Sequence, residues 1–150
     1  MIKSILVPVD GSAHANAAVD LAGEIAEKWG ARVILLNVIV RQGSSLVPEE
    51  LRAYAQLEHV RVTERDLFQS AANEIVAKAE KRARARGAAK VESVTKVGDP
   101  ARAIIAVAKE REVDLIAMGR RGLGGVKGLL LGSVSHKVSQ LTDRPCLTTA

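Results

Sequence analysis

The chain reads as an α/β protein with a single domain over residues 1–150. It predicts one open parallel sheet of five strands in the order 3-2-1-4-5, with helices on both faces. Three observations predict it. Apolar strand-like runs alternate with helical stretches along the whole chain, giving βαβαβαβαβ, the pattern of a parallel sheet covered on both sides. The run Val33-Ile34-Leu35-Leu36-Asn37-Val38-Ile39-Val40 is almost unbroken, which suits a strand buried on both faces. A glycine-rich stretch from Met118 to Val134, MGRRGLGGVKGLLLGSV, lies between an apolar run and the start of a helix.

Each element follows in order. Ser4–Val9 is the first strand and closes on Pro8-Val9-Asp10-Gly11. Ala13–Trp29 sets Ala18, Ala22, Ile25, Ala26 and Trp29 at helical spacing, and Gly30 ends that helix. Arg32–Val40 is the second strand, and Arg41–Val47 a polar loop. Pro48-Glu49-Glu50 reads as a helix start, with proline first and acids in the first turn. A single helix from there to Arg86 would be about 58 Å long, too long for a compact domain. A break is therefore expected over Ala53–Val62, with the main helix at Thr63–Arg86 and a core stripe of Leu67, Ala71, Ile75, Ala79 and Ala83. Gly87 ends it. Val91–Val97 alternates apolar and polar residues, as an edge strand does. Asp99 and Pro100 supply the N-cap and first residue of a helix to about Arg111. Asp114–Met118 is the fourth strand, Ser133–Leu141 the last helix, and Arg144–Thr149 carries a short final strand. With the second strand inside, the third at an edge and right-handed crossovers, the winding reverses between strands 1 and 4. Ligands of open parallel sheets bind at that point, beyond the carboxyl ends of the strands. The tips meeting there are Val9-Asp10-Gly11 and Met118-Gly119.

Composition narrows the function classes. Hydrophobic residues make up 47% and charged residues 26%, an ordinary globular balance, and Trp29, Tyr54 and Phe68 are the only aromatics. No apolar run is long enough to span a membrane, and Met1–Val7 is too short for a signal peptide and reads as strand. The single cysteine, Cys146, excludes an intramolecular disulfide and fits a cytoplasmic location. The net charge of +5 permits an anionic partner. Much of it lies in Lys78–Arg86, which is expected to be a solvated helix face. Nucleic-acid binding is not expected, since stacking aromatics and recognition motifs are lacking. His14, His59 and His136 are scattered without metal-ligand spacing and are expected at the surface. Cys146 has no histidine partner nearby in sequence and is not expected to be a nucleophile. Neither a P-loop nor a Gly-x-Gly-x-x-Gly after the first strand is present. No catalytic residue and no metal ligand is assigned.

The glycine-rich stretch points to phosphate. Gly119, Gly122 and Gly132, followed by Ser133, frame a loop whose backbone can approach a ligand and which leads into a helix N-terminus. Ser133 is read as a capping hydroxyl, and Arg120, Arg121 and Lys127 add positive charge. Asp10, across the crevice, is placed for ribose hydroxyls or a metal carried with phosphate; on its own it would be a turn residue or helix cap. Asn37-Val38-Ile39 offers backbone edges and apolar surface for a base. Together these describe a mononucleotide site.

Several segments carry a resemblance to the universal stress protein family: Ile5-Leu6-Val7-Pro8-Val9-Asp10-Gly11-Ser12, Val33–Val38, Gly98-Asp99-Pro100, Asp114–Gly119 with Gly122, and Leu129–Ser135. The glycine spacing is similar to that of the family's ATP-binding branch. The resemblance implies a Rossmann-like fold of the adenine nucleotide α-hydrolase kind. It implies ATP, alone or with Mg2+, with Gly119, Gly122, Gly132 and Ser133 on the phosphates. Asp10 would lie near the ribose, and Pro8, Val9, Val38 and Met118 around the nucleoside, with Arg121 and Val134 completing the set. It further implies a homodimer paired through Cys146–Thr149 or an adjacent face, and a stress-response regulator or sensor that acts on a further protein through nucleotide occupancy. The alternative is a slow ATPase or an adenylate-transferring enzyme. Such relatives often carry a Ser-Gly-Gly-x-Asp-Ser-like loop after strand 1, where this chain has Asp10-Gly11-Ser12-Ala13-His14. The loop offers no acid to activate water, so at most weak hydrolysis is expected. The last strand, Arg144-Pro145-Cys146-Leu147-Thr148-Thr149-Ala150, is less apolar than the family's usual pattern.

Overall fold

A computed structural model describes residues 1–40, 53, 64–123 and 131–150. The strands are β1 (Ser4–Pro8), β2 (Arg32–Ile39), β3 (Lys90–Val97), β4 (Leu115–Gly119) and β5 (Cys146–Thr149). The helices among the described elements are α1 (Ala13–Trp29), α2 (Glu64–Ala85), α3 (Pro100–Glu110) and α4 (Ser133–Leu141). The sheet runs β3-β2-β1-β4-β5 and every pairing is parallel. The expected order is therefore observed, with β3 and β5 at the edges. The polar loop over Arg41–Val47, the helix start at Pro48-Glu49-Glu50, Thr63 and most of the expected break lie outside the described residues. Ala53, first residue of that break, is helical.

Alternation along the central strands builds two cores. Ile5 and Val7 of β1, Val33 and Leu35 of β2, and Leu115 and Ala117 of β4 face α1 and α2. Leu6, Ile34, Leu36, Ile116 and Met118 point the other way, onto Ile104, Val107 and Ala108 of α3 and Val138 of α4. Two apolar faces per strand explain the unbroken β2 run. Small residues let the first layer close: Gly23 of α1 lies so near α2 that a Cβ there would come within 2.5 Å of Arg86 Cβ and 2.9 Å of the Ala83 carbonyl. Gly30 ends α1 in the left-handed region, at φ 67°. The stripe of α2 differs from expectation. Ala72, Val76, Ala79 and Ala83 are buried, Leu67 and Ile75 are half-buried, and Ala71 is exposed. Alanines at 71 and 72 make both helical registers plausible in sequence, and packing against α1 selects the second.

The basic run of α2 is an ion-paired solvated face. Lys78 pairs with Glu74, Arg84 with Glu80, and Arg82 and Arg86 both reach Asp20 of α1. Burial raises the affinity of the Asp20 carboxyl for its proton, but hydrogen bonds from Arg82 and Arg86 outweigh it and hold the group below the usual carboxylate value.

Asp114 ties the start of β4 to β1. Its Oδ2 accepts from the Lys3 and Ser4 amides at 2.8 and 2.9 Å and from Ser4 Oγ at 3.2 Å. The Lys3 amide is the main cause holding this carboxyl below its ordinary value, opposed by partial burial and aided by Ser4. Asp114→Ala is expected to cost about 1 kcal/mol, the charged-bond range discounted for an exposed site, or a melting point lower by roughly 2–4 °C. A depressed folded-state value stabilises above the unfolded value, and that stability fades as pH falls towards the folded value. Thermal melts should therefore show the gap to wild type closing on acidification; a gap independent of pH would remove this role.

Candidate functional site

The carboxyl ends of β1, β2 and β4 and the first residues of α3 and α4 enclose one cleft, about 530 Å³ in volume. Of the residues that the sequence points to, Pro8, Val9, Asp10, Val38, Met118, Gly119, Arg121, Gly122, Gly132, Ser133 and Val134 line it, and Asn37, Ile39 and Arg120 do not. The reading missed Ser12, Ala15, Leu36, Val40, Pro100, Ile104, Leu123 and Ser135, which also line it. Lys127 lies outside the described residues.

One side of the cleft is apolar. Pro8, Val9, Leu36, Val38, Ile104 and Met118 form it, and Asp99 caps the helix that brings Ile104 there, accepting the Arg102 amide at 2.9 Å. Asn37 does not line it. Its side chain is buried and donates Nδ2 to the Val9 carbonyl at 2.8 Å, while the Val9 amide donates to the Leu36 carbonyl at 2.8 Å. Strand alternation turns Asn37 away from the side that Leu36 and Val38 share. It fixes the β1 tip instead of meeting a base.

The other side is polar and backbone-rich. Asp10 bridges both tips: Oδ1 accepts from the Ser12 amide at 2.9 Å, and Oδ2 accepts from the Leu123 amide at 3.2 Å. The turn role and the loop contact thus coexist in one carboxylate. Ser12, now the N-cap of α1, accepts the Ala15 amide on its hydroxyl at 3.2 Å. Two glycines are explained by close approach. A Cβ on Gly119 would lie 2.7 Å from the Ala15 nitrogen and the His14 carbonyl carbon, and one on Gly122 would lie 2.6 Å from Asp10 Oδ2.

The loop is pinned at its neck by Arg120. Its amide donates to the Thr149 carbonyl at 2.6 Å, and its carbonyl accepts from the Gly132 amide at 2.7 Å and Ser135 Oγ at 2.9 Å. Ser133 is not the cap. Gly132 holds that position with extended φ and ψ, and its carbonyl accepts the His136 amide at 2.9 Å. Ser133 is the first helical residue, with its side chain exposed at the cleft. The serine that secures the turn is Ser135, whose hydroxyl also donates to the Gly132 carbonyl at 3.1 Å. The amides of Ser133, Val134 and Ser135 precede the helical ladder, so they carry the donor-rich positive end of the helix dipole.

His14 also departs from expectation. It is half-buried, and Nδ1 accepts the Arg121 amide at 3.2 Å. His136 is exposed as expected, and His59 lies outside the described residues. Burial raises the Cys146 thiol, opposed by a hydrogen bond with Ser139, so the thiolate is disfavoured. Among the described residues no group of three His, Cys, Asp or Glu could hold a metal ion, and no helix is long and apolar enough to cross a membrane.

An open parallel sheet with a glycine-rich loop at its switch point defines a Rossmann-like class of α/β domain. The model of the universal stress protein family matches residues 1–149, and the chain belongs to that family. Universal stress protein YxiE of Bacillus subtilis is 35% identical over 159 aligned positions, covering 98% of each chain. Among solved structures, MJ0577 of Methanocaldococcus jannaschii is similar at a TM-score of 0.75 and 28% identity, covering 99% of this chain and 96% of that one. A universal stress protein solved in complex with cAMP is similar at 0.72 and 28%, with the same coverage.

Proposed function

We propose that the protein binds ATP in this cleft and acts in the stress response by occupancy, as a sensor or regulator, in the cytoplasm. The observation that carries the reading is the division of one cleft into an apolar slot and a donor-rich loop, with Asp10 between them. Pro8, Val9, Val38 and Met118 would take the nucleoside, Asp10 the ribose, and Gly119, Arg121, Gly122 and Gly132–Val134 the phosphates. The cAMP complex of a similar protein supports an adenine nucleotide. Any magnesium would arrive with the phosphates, because the described residues offer no protein cage for it. Mass spectrometry of nucleotide retained by the purified protein tests the reading: an adenine nucleotide is expected, and a different retained cofactor would overturn it.

Occupancy is favoured over turnover by the state of Asp10. It is the only carboxylate among the described lining residues, and both its oxygens accept backbone amides. Phosphate release from ATP should stay well below about one per second, the slow end of ordinary enzymes. A faster rate, lost in Ser133→Ala with ATP binding retained, would identify a catalyst.

A homodimer through β5 completes the proposal. β5 is an edge strand, and edges of this kind recruit further strands. The Pro145 and Thr149 carbonyls face β4, accepting from Ile116 and Arg120, so alternation turns the Thr148 amide outward. Thr148→Pro should then remove an edge donor and spare β4. Sedimentation at tens of micromolar is expected to show a wild-type dimer and a Thr148→Pro monomer. A monomeric wild type, or a variant dimer of equal strength, would reject this interface.

A further inference from the structure

We propose that His14 is a positioning residue for the nucleotide loop: its imidazole Nδ1 holds the Arg121 amide in place, and without that acceptor the loop's grip on nucleotide loosens. The inference rests on the binding site proposed above and adds a residue that holds its loop. Three contacts fix His14. Its Nδ1 accepts the Arg121 amide at 3.2 Å. Its carbonyl accepts Thr149 Oγ1 from β5 at 2.9 Å. Its backbone and Cβ lie against Gly119, where an added Cβ would approach within 2.7 and 2.9 Å. The first turn of α1 is thereby wedged against the exit of β4, and the imidazole meets the loop between the two framing glycines.

Nδ1 accepts a hydrogen bond from a backbone N–H, so the ring proton belongs on Nε2. The contact joins the first turn of α1 to the loop, two segments that the chain separates by 107 positions. Removing the acceptor would leave the Arg121 amide without this anchor.

The test measures ATP affinity and the Arg121 amide resonance for wild type, His14→Ala and His14→Asn. Asparagine keeps an acceptor two bonds from Cβ, as Nδ1 is. His14→Ala should bind ATP roughly fivefold more weakly and shift the Arg121 resonance, and His14→Asn should approach wild type in both. Circular dichroism confirms that each variant folds. If wild type binds no ATP, the proposed site fails. If it binds but the alanine variant matches it, or asparagine restores neither the affinity nor the resonance, the role of His14 is overturned.

Discussion

Gly122→Val is expected to abolish ATP binding in a protein that still folds. Gly122 is exposed, so no core packing depends on it. Among the described residues its close neighbour is Asp10 Oδ2, which a Cβ would approach at 2.6 Å, with the carboxylate carbon 3.8 Å away. The carboxylate can swing aside, which spares the fold but breaks its bond to the Leu123 amide. A branched side chain would also occupy the path along which the loop amides meet phosphate. Losing one charged hydrogen bond alone costs about 1.5–3 kcal/mol; with the steric block, affinity should fall far beyond tenfold. Calorimetry on the variant, with its melting point as a control, checks this. Unchanged affinity in the folded variant would take the glycine loop out of the binding site.

Asp10→Ala should weaken ATP binding by about 10- to 150-fold, the range corresponding to one lost charged hydrogen bond. The alanine removes the acceptor for the Ser12 and Leu123 amides as well as the ribose contact, so loop order and ligand recognition fail together. Asp10→Asn separates the two. Its oxygen can keep the Ser12 turn, but its amide group would oppose the Leu123 N–H. It should fall between wild type and alanine in calorimetry. Equal ATP affinity in wild type and Asp10→Ala would reduce Asp10 to a turn residue.

The sheet was legible because its signals are redundant. The apolar run of β2 and the alternation of β3 each placed one strand, and chirality did the rest. The cleft followed from topology, which brought Asp10 to the glycine loop without knowledge of either side chain's contacts. What escaped the sequence was direction within a short segment. Ser133 and Ser135 are equally good cap residues by type, but only the turn geometry gives the cap to Gly132 and the carbonyl contacts to Ser135. His14 looked like a surface residue because its partner, the Arg121 amide, lies 107 positions away. Asn37 looked like a ligand contact because strand parity at the β2 end shows only against the cleft. Pro100 and Ile104 joined the site because α3 begins beside it, a consequence of parallel topology that no motif carries.

The placement of the nucleotide is tested most directly by titrating ATP into isotope-labelled protein and following the backbone amides. Saturable shifts should cluster at Asp10, Val38, Gly119–Leu123 and Gly132–Val134, with the surface of α2 around Glu74 and Lys78 unchanged. Saturable shifts confined to that α2 surface, or none at millimolar ATP, would contradict a nucleotide site at the carboxyl edge of the sheet.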